Sequence, residues 1–140
     1  MRYLLDTCLF SELFKPLQNG DVVSWIERQH AADLFMSVVT VGEIQKGISK
    51  VSPSSKATRL ESQFSVFLSA FEDPQILPLD QAILRRWGVL CARSERHKVT
   101  LPVLDSLIAA TALEHGLVIA TRNVKDFERC GVEVVNPWEG

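Results

Sequence analysis

Two features common in other protein classes are scarce or missing in this sequence: paired cysteines and long apolar runs. The 140 residues contain only three cysteines, Cys8, Cys91 and Cys130, and no CxxC pair. An odd number of widely spaced cysteines argues against a disulfide scaffold or a zinc knuckle and is typical of a reducing compartment. No apolar run approaches the roughly 20 residues of a membrane-spanning helix, and Asp6 interrupts the apolar start that a signal peptide needs. We therefore expect a cytoplasmic protein without a membrane segment.

The sequence also lacks an excess of basic charge and a glycine-rich phosphate loop. Lys and Arg number 15 and Asp and Glu number 17, which gives a net charge of −2. Nucleic-acid binders are more often basic, but a cation bound at an acidic site would change the local charge. Neither GxGxxG nor GxxxxGK occurs, so the common nucleotide-binding loops are excluded. With 46% hydrophobic residues, the composition is that of a globular domain.

Short apolar runs alternate with helical periods along the whole chain. Five strands are predicted, at residues 2–6 and in the runs DLFMSVV, QILPL, LVIAT and VEVVNP. Helices are predicted at residues 8–14, 21–30, 40–50 and 59–71, after Asp80, and from 102 or 103 to 116. Such alternation predicts an α/β fold with a mostly parallel sheet of about five strands between helices. We expect a single three-layer domain over residues 1–140.

Acidic and amide side chains stand where this fold would bring distant segments together. Asp6 follows the first predicted strand, and Glu43 lies one turn into the helix after the second. Asp105 lies in the first turn of its helix, and Asn123 and Asp126 follow the fourth strand. The ends of parallel strands and the starts of the following helices share one sheet edge. We therefore expect these side chains to lie close together.

Each acid also has an ordinary structural explanation. Asp6 could cap the helix that follows it, and Asp105 would gain from the helix dipole. The stretch TVGE fits a capping box with Thr40 as the cap and Glu43 reaching back to its backbone N–H. Asp126 could form a turn in a polar loop. Taken singly, these structural roles are the more common ones.

Capping explains each acid singly, but it does not explain why several acids share one sheet edge without a matching set of basic residues to neutralise them. Arg122 is the one obvious cation nearby in the sequence. Clustered carboxylates repel one another and raise one another's pKa values unless a positive charge lies between them. A hard divalent cation, which prefers oxygen ligands, is the simplest such charge.

The chain closely resembles the PIN-domain ribonucleases, specifically the VapC-type toxins of bacterial toxin–antitoxin pairs, in the segments LLDTCLFSEL, SVVTVGEIQKGI, LDSLIAATALEHG and VIATRNVKDFERCGVEVVNPW. The likeness covers residues 2–138 in the right order and spacing. It implies a PIN-like fold and a Mg²⁺-dependent endoribonuclease, with Mn²⁺ as a plausible substitute. It also implies a cognate VapB-like antitoxin that binds in a groove and blocks the site, and a homodimer.

The resemblance also assigns roles to individual residues. Asp6, Glu43 and Asp105 match the metal-binding and catalytic acids of the family, and the supporting residues are Thr7 and Thr121, the latter holding the acidic cluster. Many relatives carry a fourth acid where this chain has Asn123. Asn123 offers an oxygen without a charge, and Asp126 is the candidate to replace the missing acid. Cys8 stands where relatives often carry Asn, which affects a contact around the site rather than the metal itself.

Substrate and partner contacts are expected from local features rather than from net charge. Arg122, Lys46 and Lys125 are the candidates for RNA contacts, and the stretch RSERHK adds further basic residues, most of which we expect to be solvated. The aromatic helix at residues 59–71 could pack in the core or form part of a groove for a partner segment.

The alternative function is that of a non-catalytic PIN-fold RNA-binding or regulatory protein with a degenerate metal site.

Overall fold

A five-stranded parallel sheet forms the centre of the computed structural model, which describes residues 1–71 and 75–139. The strands are β1 (Tyr3–Leu5), β2 (Leu34–Ser37), β3 (Ile76–Leu77), β4 (Val118–Ala120) and β5 (Val134–Val135). Their order across the sheet is β3-β2-β1-β4-β5, and every neighbouring pair is parallel. In this register Leu5 pairs with Ala120, so β1 and β4 end side by side.

Seven helices in the described residues surround the sheet. They are α1 (Thr7–Leu13), α2 (Gly20–Glu27), α3 (Val38–Lys50), α4 (Ser55–Ser69), α5 (Gln81–Arg96), α6 (Val103–His115) and α7 (Val124–Glu128). Short 3-10 turns cover Ala31–Asp33 and Pro137–Glu139. Within residues 1–71 and 75–139, none of the helices has both the length and the apolar character that a membrane crossing requires.

Successive residues of β1 bury their side chains on opposite faces of the sheet, as a strand's period of two requires. Leu4 packs with Ile119 and with residues of α5, α6 and α7, such as Ile108. Leu5 packs with Ala120 and with residues of α1, α2, α3 and α4, such as Phe10. Burying a side chain of this kind stabilises the fold by about 2 kcal/mol. The three layers and the parallel sheet confirm the predicted α/β fold; residues 72–74 and 140 of the predicted domain lie outside the described residues.

Several predicted helix boundaries are confirmed because they depend on local chemistry. Asp80 caps α5 by accepting a hydrogen bond of 2.9 Å from the backbone N–H of Ile83. Pro102 precedes α6, and Gly116 ends it in the left-handed conformation with φ of 64°. Glycine adopts this conformation without the steric penalty of a Cβ, which is why it is favoured at the end of a helix.

The predicted boundary between β2 and α3 is wrong, and the correction matters for the site. The strand ends at Ser37, whose hydroxyl accepts a hydrogen bond of 3.0 Å from the N–H of Val39. This cap starts α3 at Val38, although two successive valines favour a strand. Thr40 therefore lies fully buried inside α3 and is not its cap. The capping-box explanation of Glu43 is wrong for the same reason.

Further boundaries also differ from prediction; α4, for example, begins at Ser55 rather than at residue 59. Asn19, not Asp21, caps α2, because its side chain accepts from two backbone N–H groups, and the helix ends at Glu27. β3 covers only two residues, since Pro78 has no N–H with which to continue the ladder. Asp126 lies in the short helix α7 rather than in a polar loop.

Candidate metal centre

The carboxylate of Asp6 links the ends of β1 and β4. Asp6 directly follows β1 and is 3% exposed. Its Oδ1 accepts from the backbone N–H of Thr7 at 2.9 Å, so it does cap α1. Its Oδ2 accepts from the hydroxyl of Thr121, the residue after β4, at 2.8 Å. Burial raises the pKa of Asp6, and these hydrogen bonds partly offset that rise by favouring the charged form.

The Cys8 thiol completes the hydrogen bonding around this carboxylate. Its sulfur lies 3.6 Å from Oδ2 of Asp6 and 3.5 Å from the hydroxyl of Thr121. It accepts from the backbone N–H of Arg122 at 3.4 Å. Burial, with the charge of Asp6 as a smaller cause, raises the pKa of the Cys8 thiol to about 11. The thiol is therefore protonated at neutral pH and donates weakly to Asp6.

Glu43 is held by α1 rather than by its own helix. The hydroxyl of Thr7 donates to Oε1 of Glu43 at 2.6 Å. The same oxygen of Thr7 lies 3.5 Å from the hydroxyl of Thr40, which is buried in α3 one turn before Glu43. Thr7 thus offers its N–H to Asp6 and its hydroxyl to Glu43. One residue at the start of α1 orients two of the predicted site acids.

Asp105 lies among three other carboxylates. Its pKa is raised to about 6, mainly by burial and then by the negative charges of Asp6, Asp126 and Glu43, in that order. No basic side chain in the described part of the chain contributes to this shift. Four acids from four separate segments therefore share one edge of the sheet, as the parallel topology predicted. Each would be stabilised in its charged form by a cation placed between them.

The chemistry of these side chains suits a hard divalent cation, because carboxylate oxygens are the ligands that such ions prefer. The hydroxyls of Thr7 and Thr121 hydrogen-bond to two of the carboxylates. The side chains are not, however, closed around a single point. Among residues 1–71 and 75–139, no three His, Cys, Asp or Glu side chains are arranged so that together they could hold one ion. The other carboxylates act on Asp105 through their charges without forming a closed set of ligands in the described residues.

Comparison with known proteins assigns this arrangement to a family. A family model described as a PIN domain matches residues 3–132. The chain belongs to the PIN-domain family. Its sequence is 33% identical over 140 residues to VapC ribonuclease Y4jK of Sinorhizobium fredii (strain NBRC 101917 / NGR234), and the match covers 97% of both proteins.

Two solved structures show the same fold. A crystal structure of FitAcB from Neisseria gonorrhoeae matches with a TM-score of 0.91 and 31% identity, over 99% of each chain. A toxin–antitoxin complex from Klebsiella pneumoniae matches with a TM-score of 0.71 and 29% identity, over 96% of this chain and 97% of that chain. The resemblance found in the four sequence segments is thereby confirmed.

Asn123 and Asp126, the two candidates for the predicted fourth position, lie in different surroundings. Asn123 is exposed, its side chain makes no capping bond to α7, and its N–H donates to the hydroxyl of Thr121 at 3.0 Å. Asp126, one turn later, is half-buried and acts electrostatically on Asp105. Of these two residues only Asp126 adds a negative charge near Asp105, while Asn123 lies beside Thr121, which hydrogen-bonds to Asp6.

The three predicted RNA contacts are all exposed, in different surroundings. The guanidinium of Arg122 lies 5.6 Å from the centre of the Trp138 ring, in a cation–π contact. Lys46 follows Glu43 by three residues on α3, and Lys125 immediately precedes Asp126. All three are therefore close to a site residue in the sequence, but within the described part of the chain only Arg122 among them has a side-chain partner.

Sequence reasoning missed a second carboxylate network, around Glu12. Glu12 is 5% exposed and accepts from Nε1 of Trp138 at 3.1 Å, from Lys15 at 3.3 Å and from the N–H of Asn19 at 3.3 Å. These bonds, the one from Trp138 foremost, lower the pKa of Glu12. The only sign of this network in the sequence is that Glu12 lies on the apolar side of the helix predicted at residues 8–14. Its partner, 126 positions away, could not be read from the pattern.

Proposed function

We propose that this chain is the toxin of a toxin–antitoxin pair and acts as a divalent-metal-dependent endoribonuclease in the cytoplasm. The observation that carries the proposal is the position of Asp105 among Asp6, Glu43 and Asp126, with no basic side chain to balance them in the described residues. Membership of the PIN family and 33% identity to a VapC ribonuclease support the choice of RNA as substrate. We treat residues 1–140 as one functional domain.

Asp6, Glu43 and Asp105 would hold Mg²⁺, or Mn²⁺ in its place, with Asp126 or Asn123 at the fourth position. When bound, the ion polarises the scissile phosphate and lowers the pKa of a coordinated water. The remaining work belongs to the chain. Thr121 and the N–H of Thr7 fix the plane of the Asp6 carboxylate, and the Thr7 hydroxyl fixes Glu43. Loss of a hydrogen bond that orients a metal ligand lowers metal affinity or activity by about 10- to 100-fold.

No imidazole is needed as a base in this scheme. No histidine in the described part of the chain acts on Asp105 or hydrogen-bonds to the carboxylates beside it. Arg122, Lys46 and Lys125 are proposed to contact the RNA phosphates around the site. Arg122 is the strongest of these candidates, because Trp138 already limits the movement of its guanidinium.

An inhibiting antitoxin is proposed to occupy the cleft between α1, α3 and α4. The cleft holds about 390 Å³ and reaches from Thr7 and Glu43 along a largely apolar wall that includes Phe14. Phe64 of the aromatic helix packs in the core, while Leu60 on the same helix faces this cleft. An apolar groove is a common surface for peptide recognition, and the Klebsiella neighbour is a toxin–antitoxin complex. A homodimer is proposed from the family alone.

The decisive experiment is an RNA cleavage assay with the purified chain. Structured RNA is incubated with Mg²⁺, with Mn²⁺ and with EDTA, and the substitutions Glu43→Gln and Asp105→Asn are compared with Glu61→Gln, an exposed acid on α4. We expect metal-dependent cleavage by the wild type and by Glu61→Gln, and none by the two site variants. Equal cleavage by all four proteins would refute the assignment.

The second candidate function is that of a non-catalytic PIN-fold protein that binds RNA. Two points favour it: the family resemblance implies an acid where this chain has Asn123, and the carboxylates are not closed around one point in the described residues. Binding of RNA that is insensitive to EDTA, without cleavage in any metal, would support this alternative over the nuclease.

A further inference from the structure

A strongly basic cleft lies between the ends of α5 and α7, apart from the four carboxylates. It holds about 560 Å³ and is lined by Arg93, His97, Lys98 and Arg129, with the hydroxyl residues Ser94 and Thr100 beside them. No acidic residue lines it, and none of the four basic residues forms an ion pair within the described part of the chain. In a chain of net charge −2, this concentration of unpaired positive charge is unexpected.

The two elements that border the cleft also carry site acids. Arg129 follows Asp126 by three residues at the end of α7, which places the two on one side of the helix with a rise of about 4.5 Å. Thr100 lies in the loop that runs into α6, whose first turn carries Asp105. Arg93 reaches across the end of α7, where its Nη2 comes within 3.6 Å of the position that a Cβ at Gly131 would take. The cleft is therefore bordered by α7 and by the loop before α6, the two elements that carry Asp126 and Asp105.

Lys98 provides an independent observation, because its backbone is in a conformation that favours glycine. Its φ is 59°. Lys98 N–H donates to the carbonyl of Glu95 at 2.9 Å, and Val99 N–H donates to that of Ser94 at 2.9 Å. These two bonds form a Schellman motif at the end of α5, in which the left-handed position is usually Gly. A lysine at this position is less favourable for stability than glycine, and a role for its side chain in binding would account for it.

We propose that this basic cleft binds the phosphate backbone of the RNA that the neighbouring carboxylates cut, a conclusion that rests on the proposed function. Phosphates bind to clustered Lys and Arg largely through charge, and the affinity therefore falls with salt. The alternative is that the cations only complement the negative ends of two helices. That explanation accounts for Arg93 and Arg129 but not for Lys98, where glycine would serve the helix end better.

The test separates these explanations with three variants in an Asp105→Asn background, which prevents cleavage. They are Lys98→Gly, the double variant Arg93→Gln/Arg129→Gln, and the control Arg28→Ala, which removes an exposed cation at the end of α2. Binding of a fluorescent single-stranded RNA is measured over a range of salt, and the melting temperature of each protein is recorded.

We expect Lys98→Gly to raise the melting temperature by about 3 °C while weakening RNA binding several-fold. The slope of log affinity against log salt should become shallower by about 0.7 for each phosphate that a variant no longer neutralises, and more so in the double variant than in Lys98→Gly. Arg28→Ala should change neither the affinity nor the slope. Affinities and slopes equal to those of the control would overturn the proposal.

Failure of this inference is distinguishable from failure of the proposed function. The cleft and control substitutions are also assayed for cleavage with Asp105 intact. If the wild type cleaves RNA and the cleft variants cleave it with an unchanged KM, the cleft proposal is overturned and the nuclease stands. If the wild type cleaves no RNA in any metal, the nuclease is refuted, and the assignment of the cleft to a cleaved substrate is refuted with it.

Discussion

The hydroxyl of Thr121 donates to Oδ2 of Asp6 at 2.8 Å, although 115 positions separate the two residues in the sequence. Both lie directly after central strands, and β1 and β4 pair in parallel so that Leu5 and Ala120 are neighbours. The bond therefore follows from the topology of the sheet. It gives Asp6 a partner for its second oxygen, since the first is occupied by the N–H of Thr7.

Removing this donor should destabilise the fold. Thr121→Val keeps the shape of the side chain but leaves one oxygen of a buried carboxylate with only the weak thiol donor of Cys8. We expect a loss of about 1–3 kcal/mol in the free energy of unfolding, measured with urea. Thr121→Ser restores the hydroxyl and should recover most of this loss. A Val variant as stable as the wild type would show that the bond contributes nothing.

The Thr7 hydroxyl should matter for metal binding more than for stability. Thr7→Val removes the 2.6 Å bond to Glu43 but leaves the N–H that donates to Asp6, the cap of α1. We expect the affinity for Mn²⁺ to fall by about tenfold or more, because Glu43 loses its orientation. Thr7→Ser is the matched control and should bind Mn²⁺ like the wild type. The prediction is wrong if Val and Ser variants bind the ion equally well.

Asp105→Asn should stabilise the metal-free protein at neutral pH. The pKa of Asp105 is about 6 in the fold, compared with 3.8 for an unperturbed Asp, so the folded state holds this proton more tightly than the unfolded chain. Stability therefore falls as the pH rises from about 4 to about 6, and the loss is complete above that range. The Asn variant avoids this loss. Because the side chain is partly exposed, we expect a gain of about 1 kcal/mol near pH 8.

The measurement is urea unfolding in EDTA at about pH 4 and at about pH 8. The difference between the two proteins should be small at the lower pH and favour the variant at the higher pH. Addition of Mn²⁺ should then stabilise the wild type and leave the variant unchanged. A variant that is less stable than the wild type at the higher pH in EDTA would contradict the electrostatic account of Asp105.

Trp138 should contribute to stability through its hydrogen bond to Glu12. Trp138→Phe removes the Nε1–H that donates to Glu12 at 3.1 Å. The pKa of Glu12 is lowered in the fold, so its bonds stabilise the protein above its unfolded pKa, and this contribution is lost as the pH falls through the folded value. We expect a loss of about 2 kcal/mol at neutral pH and a smaller loss in acid, measured by urea unfolding. A loss that does not depend on pH would point to packing instead.

The layers of the fold and the helix ends governed by one residue could be predicted from the sequence. Asp80 and Gly116 act through their own backbone neighbours, so their roles are visible locally. The start of α3 could not be predicted, because Val38 and Val39 favour a strand and only the Ser37 cap reverses that preference.

The site could be predicted only in part, because some of its contacts depend on how distant elements pack. The expected meeting of Asp6, Glu43, Asp105 and Asp126 follows from strand order, because all four stand at the same edge of a parallel sheet. The link from Thr7 to Glu43 depends instead on how α1 packs against α3, and the spacing of residues along the chain does not determine that packing.

The central claim is that Asp6, Glu43 and Asp105 together bind one divalent ion, and calorimetric titration with Mn²⁺ tests it most directly. We expect saturable binding by the wild type, loss of binding in Glu43→Gln and in Asp105→Asn, and unchanged binding in Glu61→Gln. All four proteins are first shown to be folded by their unfolding curves. Mn²⁺ binding by the two site variants with the affinity of the wild type, or no binding by the folded wild type, would contradict the claim.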